Sequence, residues 1–240
     1  MGADNYYSLT ALPVLDPPPA EPPLGLAEFS VRLPTGRPRE LARCVILADD
    51  LLQREAVLAG ELPSPDPVVL TAEEAKGESP LPGELGQSSD RRGSPARVAA
   101  DATWGAYYRY AARRARELHS RFLEEWVVWE VTTRNALAIA RARALELDPD
   151  AYLVARSLVD DSRESEALAT SWASAGHPLD GFRSLLAARW RWADRNEPWF
   201  TFRDDEFAAY AAKLVLLHRW LRASEFGPRR HAEGTGETGE

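Results

Sequence analysis

The polar side chains best suited to chemistry fall in one short stretch of the chain, close to two tryptophans. They are Glu125, Glu130, Arg134 and Asn135. Carboxylates beside an arginine can carry general acid–base catalysis where a pocket shifts their pKa values. Glu130 and Arg134 are also four residues apart, which is the spacing of an ordinary ion pair along one helix. We favour the structural interpretation and treat the four residues as a structural polar cluster.

A second group of side chains forms a basic patch interleaved with tyrosines. It comprises Arg109, Arg113, Arg114, Arg116 and Arg121, and Tyr108 and Tyr110 lie on either side of Arg109. Such a pattern is typical of nucleic-acid binding, but the chain carries a net charge of -8, which opposes contact with phosphates. The patch therefore indicates either a solvated helix face or a contact with a protein partner. Arg109, Arg113 and Arg116 are the candidate contact residues.

Eight tryptophans need a location in the fold. Five of them recur at helical spacing with other apolar residues and are core candidates: Trp104, Trp126, Trp129, Trp190 and Trp220. Trp192 and Trp199 instead flank a polar stretch, residues 193–197. These two either fasten that turn or contact a partner, so both join the candidate partner-contact residues.

Motifs for a cofactor, a metal or a covalent intermediate are lacking in the sequence. The four histidines are dispersed, and none has a cysteine or second histidine at metal-ligand spacing. The single cysteine, Cys44, lies on the apolar side of a predicted helix and indicates a buried thiol in a reducing compartment. No apolar run approaches the length of a membrane span, and no secretory signal is recognisable. We expect a cytoplasmic protein without catalytic residues, cofactor, metal or direct membrane span.

One stretch organises the elements that carry these residues. Apolar side chains recur every three or four positions from about residue 95 to residue 147, so the pattern predicts one long central helix of about 70 Å. Ser94 and Pro95 supply a start signal, and Asp148 before Pro149 supplies a stop. Two forms stay open, a straight helix and one broken near Arg134 and Asn135. The predicted fold is all-α and elongated.

The rest of the chain is assigned around that helix. Residues 5–13 read as an extended segment, and amphipathic helices are predicted at about 24–33 and 38–60. Residues 62–97 are rich in Pro, Gly and Ser and are predicted to be a flexible insert. Shorter helices follow residue 148, one with Asp161 as its predicted cap and another predicted to begin at Pro178. The expected organisation is a single helical domain over 5–226 and a disordered tail over 227–240.

Several segments, taken in order, resemble an uncharacterised bacterial helical family encoded among the genes of V-type (V/A-type) ATPases. The segments are NYYSLTALP at 5–13, FLEEWVVWE at 122–130, RNAL at 134–137 and EFAAYAAKLVLLHRW at 206–220. The family opening is typically N-Y-Y-Y-L-V-A-x-L-P. Residues 134–149 also resemble the V-type ATPase C-subunit pattern N-L-x-x-L-x-R-A-K-x-L-G-x-D-P.

This resemblance implies a protein like the V-type ATPase C-subunit, a noncatalytic component that couples the central shaft to the membrane rotor ring. Its implied partners are the central-shaft subunits and the rotor ring, and its implied location is cytoplasmic, peripheral to the inner membrane through the ATPase complex. Two alternatives stay open: an assembly or regulatory factor of the same ATPase, and a helical enzyme of unknown reaction built around Glu125, Glu130 and Arg134. Nucleic acid is not an expected partner.

Overall fold

The computed structural model describes residues 3–86 and 99–225, and within them the chain forms helices and no β-strand. The all-α prediction is confirmed for these residues. Two short 3₁₀ turns, Pro149–Tyr152 and Arg156–Leu158, lie between the seventh and eighth helices. The α-helices are α1 Ala3–Thr10, α2 Leu26–Arg32, α3 Arg37–Leu58, α4 Ala72–Lys76, α5 Gly83–Gly86, α6 Ala99–Glu117, α7 Arg121–Ala144, α8 Arg163–Ala173, α9 Pro178–Asn196 and α10 Asp205–Glu225.

The N-terminal motif is helical, so the prediction of an extended segment at 5–13 is wrong. Helix α1 ends at Thr10, whose hydroxyl donates to the carbonyl oxygen of Tyr6 at 2.8 Å. Leu9 and Leu12, three positions apart, pack against the core from one side. An isolated strand would leave its backbone groups unpaired, whereas a helix pairs them internally. The aromatic and β-branched residues of the motif therefore misled the strand prediction.

The predicted long central helix is two helices, α6 and α7. Helix α6 ends at Glu117, His119 adopts a left-handed backbone with φ 49°, and Ser120 starts α7 by accepting a hydrogen bond from the Leu123 amide at 3.2 Å. The apolar spacing continues in phase across this turn, which is why periodicity alone merged the two helices. The signal that marks the break is Ser120, a favoured N-cap residue.

The two helices form an antiparallel hairpin. Near its open end, the Arg134 guanidinium of α7 lies 3.3 Å from the Asp101 carboxylate of α6. Helix α7 continues without interruption through Arg134 and Asn135, so the break considered there does not occur. At 1.5 Å per residue, its 24 residues extend about 36 Å, half the length expected for the single helix.

Part of the predicted flexible insert, within residues 62–86, makes defined contacts with α3. Three successive amides, those of Val68, Val69 and Leu70, donate to the Asp50 carboxylate of α3. Leu70 is buried, and Thr71 opens α4 with a reciprocal capping box. Asp50 thus supplies the fixed acceptor that composition did not reveal. The rest of the predicted insert, 87–98, and the predicted tail lie outside the described residues.

Helices α3 and α10 form the largest part of the core, and buried charge joins them. The Asp49 carboxylate of α3 is fully buried and accepts hydrogen bonds from Arg219 at 2.9 Å and from Arg222 at 2.6 and 2.7 Å. Burial by itself would raise the pKa of Asp49, but the two guanidinium groups outweigh it and hold that pKa below its usual value. Because an unpaired buried charge is costly, this network fixes the pairing of the two helices.

Candidate functional site

The predicted polar cluster is divided among different partners. Glu130 does not pair with Arg134 along α7. It pairs with Arg189 of α9 through two hydrogen bonds of 2.7 and 3.2 Å. Arg134 instead lies over the Trp104 ring, 4.7 Å from its centroid, and contacts Asp101. The i, i+4 pair was a wrong prediction because helices distant in sequence supply better-buried partners.

The other two members of the predicted cluster act at different places on α7. Asn135 is buried and clamps the backbone of Val154, accepting from its amide at 3.0 Å and donating to its carbonyl oxygen at 2.8 Å. Glu125 pairs with Arg121, whose side chain is 86% exposed. Asn135 therefore fastens the connection after α7, while Glu125 belongs to the surface.

A central cleft of about 600 Å³ runs beside α7, and α3, α6, α8, α9 and α10 also contribute to its lining. The volume falls in the range of ordinary small-molecule sites. Glu130, Arg134 and Arg189 lie on its wall together with Arg219. Most of the wall is apolar, including Leu52, Trp104, Leu137, Phe182 and Leu185. The sequence contained these residues but offered no sign that they meet in one cavity.

Two adjacent tyrosines on the cleft wall differ in their hydrogen bonding. The Tyr107 hydroxyl donates to the backbone carbonyl oxygen of Cys44 at 3.1 Å. The Tyr108 side chain is as deeply buried, but its hydroxyl has no hydrogen-bond partner among the described residues. Burial is the main cause that raises the pKa of Tyr108, and the Glu130 carboxylate raises it further. The hydroxyl therefore stays protonated at neutral pH.

Trp192 belongs to the core, so its assignment as a candidate partner contact is wrong. It is 7% exposed, and its ring lies 5.3 Å from Trp126, 5.8 Å from Trp129 and 5.8 Å from Phe122. The polar stretch that follows it belongs mostly to α9, which continues to Asn196 and directs Trp192 inward. Trp192 therefore does not fasten a turn at residues 193–197, which was the other alternative; it packs in the core.

Trp199 belongs to a group of rings that we call the aromatic surface, comprising Tyr6, Tyr7, Trp199, Phe200 and Phe202; Phe202 is half-buried and the other four are exposed. Ring centroids follow one another at 5.5 Å for Tyr7 and Tyr6, 5.0 Å for Tyr6 and Phe202, 6.1 Å for Phe202 and Phe200, and 4.9 Å for Phe200 and Trp199. Tyr7 is 70% and Trp199 71% exposed. The surface joins the N-terminal motif to the loop between α9 and α10.

Backbone geometry and polar contacts hold the aromatic surface in place. Phe200 and Phe202 both have left-handed backbones, with φ of 54° and 53°, a conformation that costs roughly 1 kcal/mol or more for a side chain of this size. The Asn5 side chain donates to the Asp204 carboxylate at 2.6 Å and thereby attaches α1 to the loop. Arg37 links the same carboxylate, at 3.1 Å, to the carbonyl oxygen of His119.

The candidate basic residues all lie on α6, outside the core. Arg109 and Arg116 are exposed. Arg113 pairs with Glu117 at 3.5 Å and lies over the Tyr110 ring, 5.6 Å from its centroid. Arg116 comes just before the hairpin turn, and Arg37 ties that turn to the aromatic surface. One end of the molecule therefore presents both exposed rings and basic charge.

Within 3–86 and 99–225, histidine, cysteine and carboxylate side chains form no group that could hold a metal ion. None of the helices in those ranges combines the length and the apolar character needed to cross a bilayer. Cys44 is buried as expected, and burial raises the pKa of its thiol to about 11. Comparison with known proteins adds no relative. No family model, curated protein or solved structure matches the chain.

The sequence did not predict several residues that define the central cleft and the aromatic surface. Arg189 lies 59 positions from its partner Glu130, a separation that no local pattern reveals. Tyr108 stands out in the sequence only as part of the basic patch. No motif marks Phe200 and Phe202, although the run Trp199-Phe200-Thr201-Phe202 after a proline is unusual for a turn. That concentration of rings outside a helix was the available signal.

Proposed function

We propose that this chain is a noncatalytic, C-subunit-like component of a V/A-type ATPase that couples the central shaft to the membrane rotor ring. The proposal rests on the ordered resemblance of four segments and on the surface that one of them helps to form. It assigns the chain a cytoplasmic location, peripheral to the inner membrane through the complex. The central-shaft subunits and the rotor ring are its proposed partners.

The resembling segments have different physical roles, and this difference supports the proposal. The segments at 122–130 and 206–220 supply much of the core, including Leu123, Trp126, Phe207 and Leu214. The segment at 5–13 contributes little to the core and presents Tyr6 and Tyr7 to solvent. Exposed aromatic side chains do not stabilise a fold by burial, so their presence in a motif is better explained by binding.

The observation that carries the proposal is the aromatic surface. Contiguous exposed rings of this kind mark protein–protein contacts in soluble proteins, where Tyr and Trp often supply most of the binding energy. The strained backbones of Phe200 and Phe202 cost stability, and a contact with a partner offsets that cost. A component that transmits torque needs such a fixed attachment.

Affinity purification of the tagged chain from its host in mild detergent tests the proposal, with co-purifying chains quantified by mass spectrometry. We expect the ATPase catalytic, shaft and ring proteins at constant stoichiometry. The double variant Trp199→Ala with Phe200→Ala should reduce their recovery about tenfold or more, as loss of a central aromatic contact does. Val159→Ala, another exposed apolar residue, is the matched control and should leave recovery unchanged.

Two outcomes would overturn the coupling role. Recovery of the chain alone, with the ATPase intact in the unbound fraction, would show that the chain is not associated with the ATPase. Recovery only with partly assembled complexes would instead support the alternative of an assembly or regulatory factor. Equal recovery of the ATPase proteins by the double variant and the control would show that the aromatic surface does not contribute to the interaction.

A further inference from the structure

We propose that the central cleft binds an organic monocarboxylate with an apolar body. The cleft is wide enough for such a molecule, and its wall combines apolar area with a small set of polar groups. This inference concerns a different surface from the one used in the proposed function, and it does not depend on that function.

The apolar part of the wall defines the body of the ligand. Leu137 on α7 and Phe182 and Leu185 on α9 face the cleft, with Leu52 of α3 and Trp104 of α6 also on its wall. These side chains can cover an alkyl chain or a ring system but offer few hydrogen bonds. Removing such a body from water supplies most of the binding energy, at about 25 cal/mol per Å² of buried apolar area.

Tyr108 supplies the observation that points to a ligand with an acceptor. Its side chain is 4% exposed, it lines the cleft, and its hydroxyl is without a hydrogen-bond partner among the described residues. Because the hydroxyl oxygen is not fully enclosed, it opens onto the cleft, where an acceptor on a ligand can replace water as its partner. The hydroxyl can donate only to something within the cleft. The four charged groups that act on it most strongly, Glu130, Arg134, Arg189 and Arg219, all line the same cleft.

The charges on the wall favour a single negative charge on the ligand. Four arginines face three carboxylates: Arg134, Arg141, Arg189 and Arg219 against Glu55, Asp101 and Glu130. Arg219 is paired with Asp49, but Arg222 shares that carboxylate, so the excess stays at one positive charge when both are counted. One carboxylate neutralises this charge, and a doubly charged phosphate would exceed it. Within the described chain, Arg134 donates a single hydrogen bond, to Asp101 at 3.3 Å, so most of its five N–H groups remain for a ligand. A carboxylate can accept from a guanidinium and from the Tyr108 hydroxyl together.

Isothermal titration of the full chain with decanoate tests the proposal. We expect one site per chain and a Kd of about 0.1 to 1 mM, as is reasonable for a ligand of this size. Decylammonium has the same chain and the opposite charge, so it should bind at least about tenfold more weakly. Absence of saturable binding by decanoate, or equal binding of the two probes, would overturn the assignment.

Two tyrosines, one on the cleft wall and one away from it, provide a matched pair of variants. Tyr108→Phe removes the unpartnered hydroxyl and should weaken decanoate binding about tenfold, because hydrogen bonds to charged groups are strong. Tyr210→Phe removes a hydroxyl that bonds to the Pro13 carbonyl oxygen away from the cleft and should change the Kd less than about twofold. Equal affinity of Tyr108→Phe and the unmodified chain would overturn the role of the hydroxyl, and with it the proposed site.

A variant of the aromatic surface separates this proposal from the proposed function. Trp199→Ala should bind decanoate with unchanged affinity, because Trp199 does not line the cleft. Loss of decanoate binding in this variant would place the probe on the exposed rings and overturn the cleft as its site. Failure to recover the ATPase in the purification leaves the titration result unaffected, so the two proposals fail separately.

Discussion

The central cleft and the aromatic surface use similar side chains under opposite conditions. In the cleft, aromatic rings are buried, and charged groups are paired across helices, as Glu130 is with Arg189. On the aromatic surface, rings such as Trp199 are mostly exposed, and a short loop carries three of the five. The first region is held by contacts among distant parts of the chain. The second is held by a few polar contacts at its edge, among them Asn5 with Asp204.

This contrast shows how stability and binding are distributed in the molecule. Removing one member of a buried pair leaves a charge without its partner, so the cleft is sensitive to single substitutions. Removing an exposed ring leaves the packing largely intact, so the aromatic surface is tolerant of substitution. A region that contributes little to folding is free to retain residues selected for binding. Substitutions in the two regions should therefore differ in their effects on stability.

The largest expected effect is at Glu130. Glu130→Ala should lower the free energy of unfolding by about 3–5 kcal/mol, because Arg189 would keep a buried charge without a partner. Urea unfolding followed by circular dichroism measures the change. Glu125→Ala, on the same helix but paired with the exposed Arg121, is the control and should have little effect. Equal losses for the two variants would contradict the distinction between the cleft and the surface.

The next effect concerns Asp50, on the same helix as the cleft residue Leu52. Burial raises the pKa of Asp50 to about 6, against the opposing effect of three backbone amides. The folded chain therefore binds a proton that the unfolded chain has released between about pH 4 and pH 6. The free energy of unfolding should fall by about 3 kcal/mol as pH rises through that interval, and then level off.

Comparison with Asp50→Asn isolates this contribution, since the amide does not titrate. The difference in unfolding free energy between the unmodified chain and the variant should change between about pH 4 and pH 6 and stay constant above it. The lowered pKa of Asp49 has the opposite effect on the free energy of unfolding. It stabilises the folded chain above the ordinary pKa of an aspartate, and this stabilisation is lost as the pH falls through the lowered pKa. A difference that is flat across the interval would refute the raised pKa of Asp50.

A smaller effect is expected at the hairpin turn near the aromatic surface. Ser120→Ala removes the side-chain acceptor of the Leu123 amide and should reduce the free energy of unfolding by about 1 kcal/mol. Thermal and urea unfolding both measure it. Ser171→Ala, at an exposed position within α8, should cause no loss. The turn would not depend on the cap if both serine variants matched the unmodified chain.

The smallest effect is expected on the aromatic surface itself. Trp199→Ala should change the free energy of unfolding by less than about 0.5 kcal/mol, because the ring is mostly exposed. Trp126→Ala, which removes a ring from the core, should cost about 3–5 kcal/mol in the same assay. A large loss for Trp199→Ala would show that the aromatic surface supports the fold and would remove the contrast with the cleft.

Sequence patterns predicted the helices with clear apolar faces and clear end signals. Helix α3 begins within a residue of its predicted start at Pro38, and α9 begins at Pro178 as expected. Helix α8 follows a serine cap, Ser162, rather than the predicted Asp161, because either residue can accept an N-terminal amide. In these elements local chemistry determines the structure, so reading one segment at a time was sufficient.

Features that depend on contacts between distant segments were not predictable in this way. The antiparallel return of α7 onto α6 depends on one residue, His119, in a left-handed conformation. The contacts of residues 68–70 with α3 depend on Asp50, which precedes the amides it binds by about twenty positions. The cleft requires six helices to be in place at once, α3 and α6 to α10. None of these leaves a periodic pattern in the sequence.

The bond between Asn5 and Asp204 also has a consequence for synthesis of the chain. Nearly 200 residues separate its two ends, so α1 cannot dock until the loop before α10 has left the ribosome. At roughly 5–20 residues per second, that interval is about 10–40 seconds. During it, Tyr6 and Tyr7 are available without the rest of the aromatic surface. All five rings therefore come together only after α2 to α9 have been synthesised, so a nascent chain that lacks those helices cannot present the complete surface to a partner.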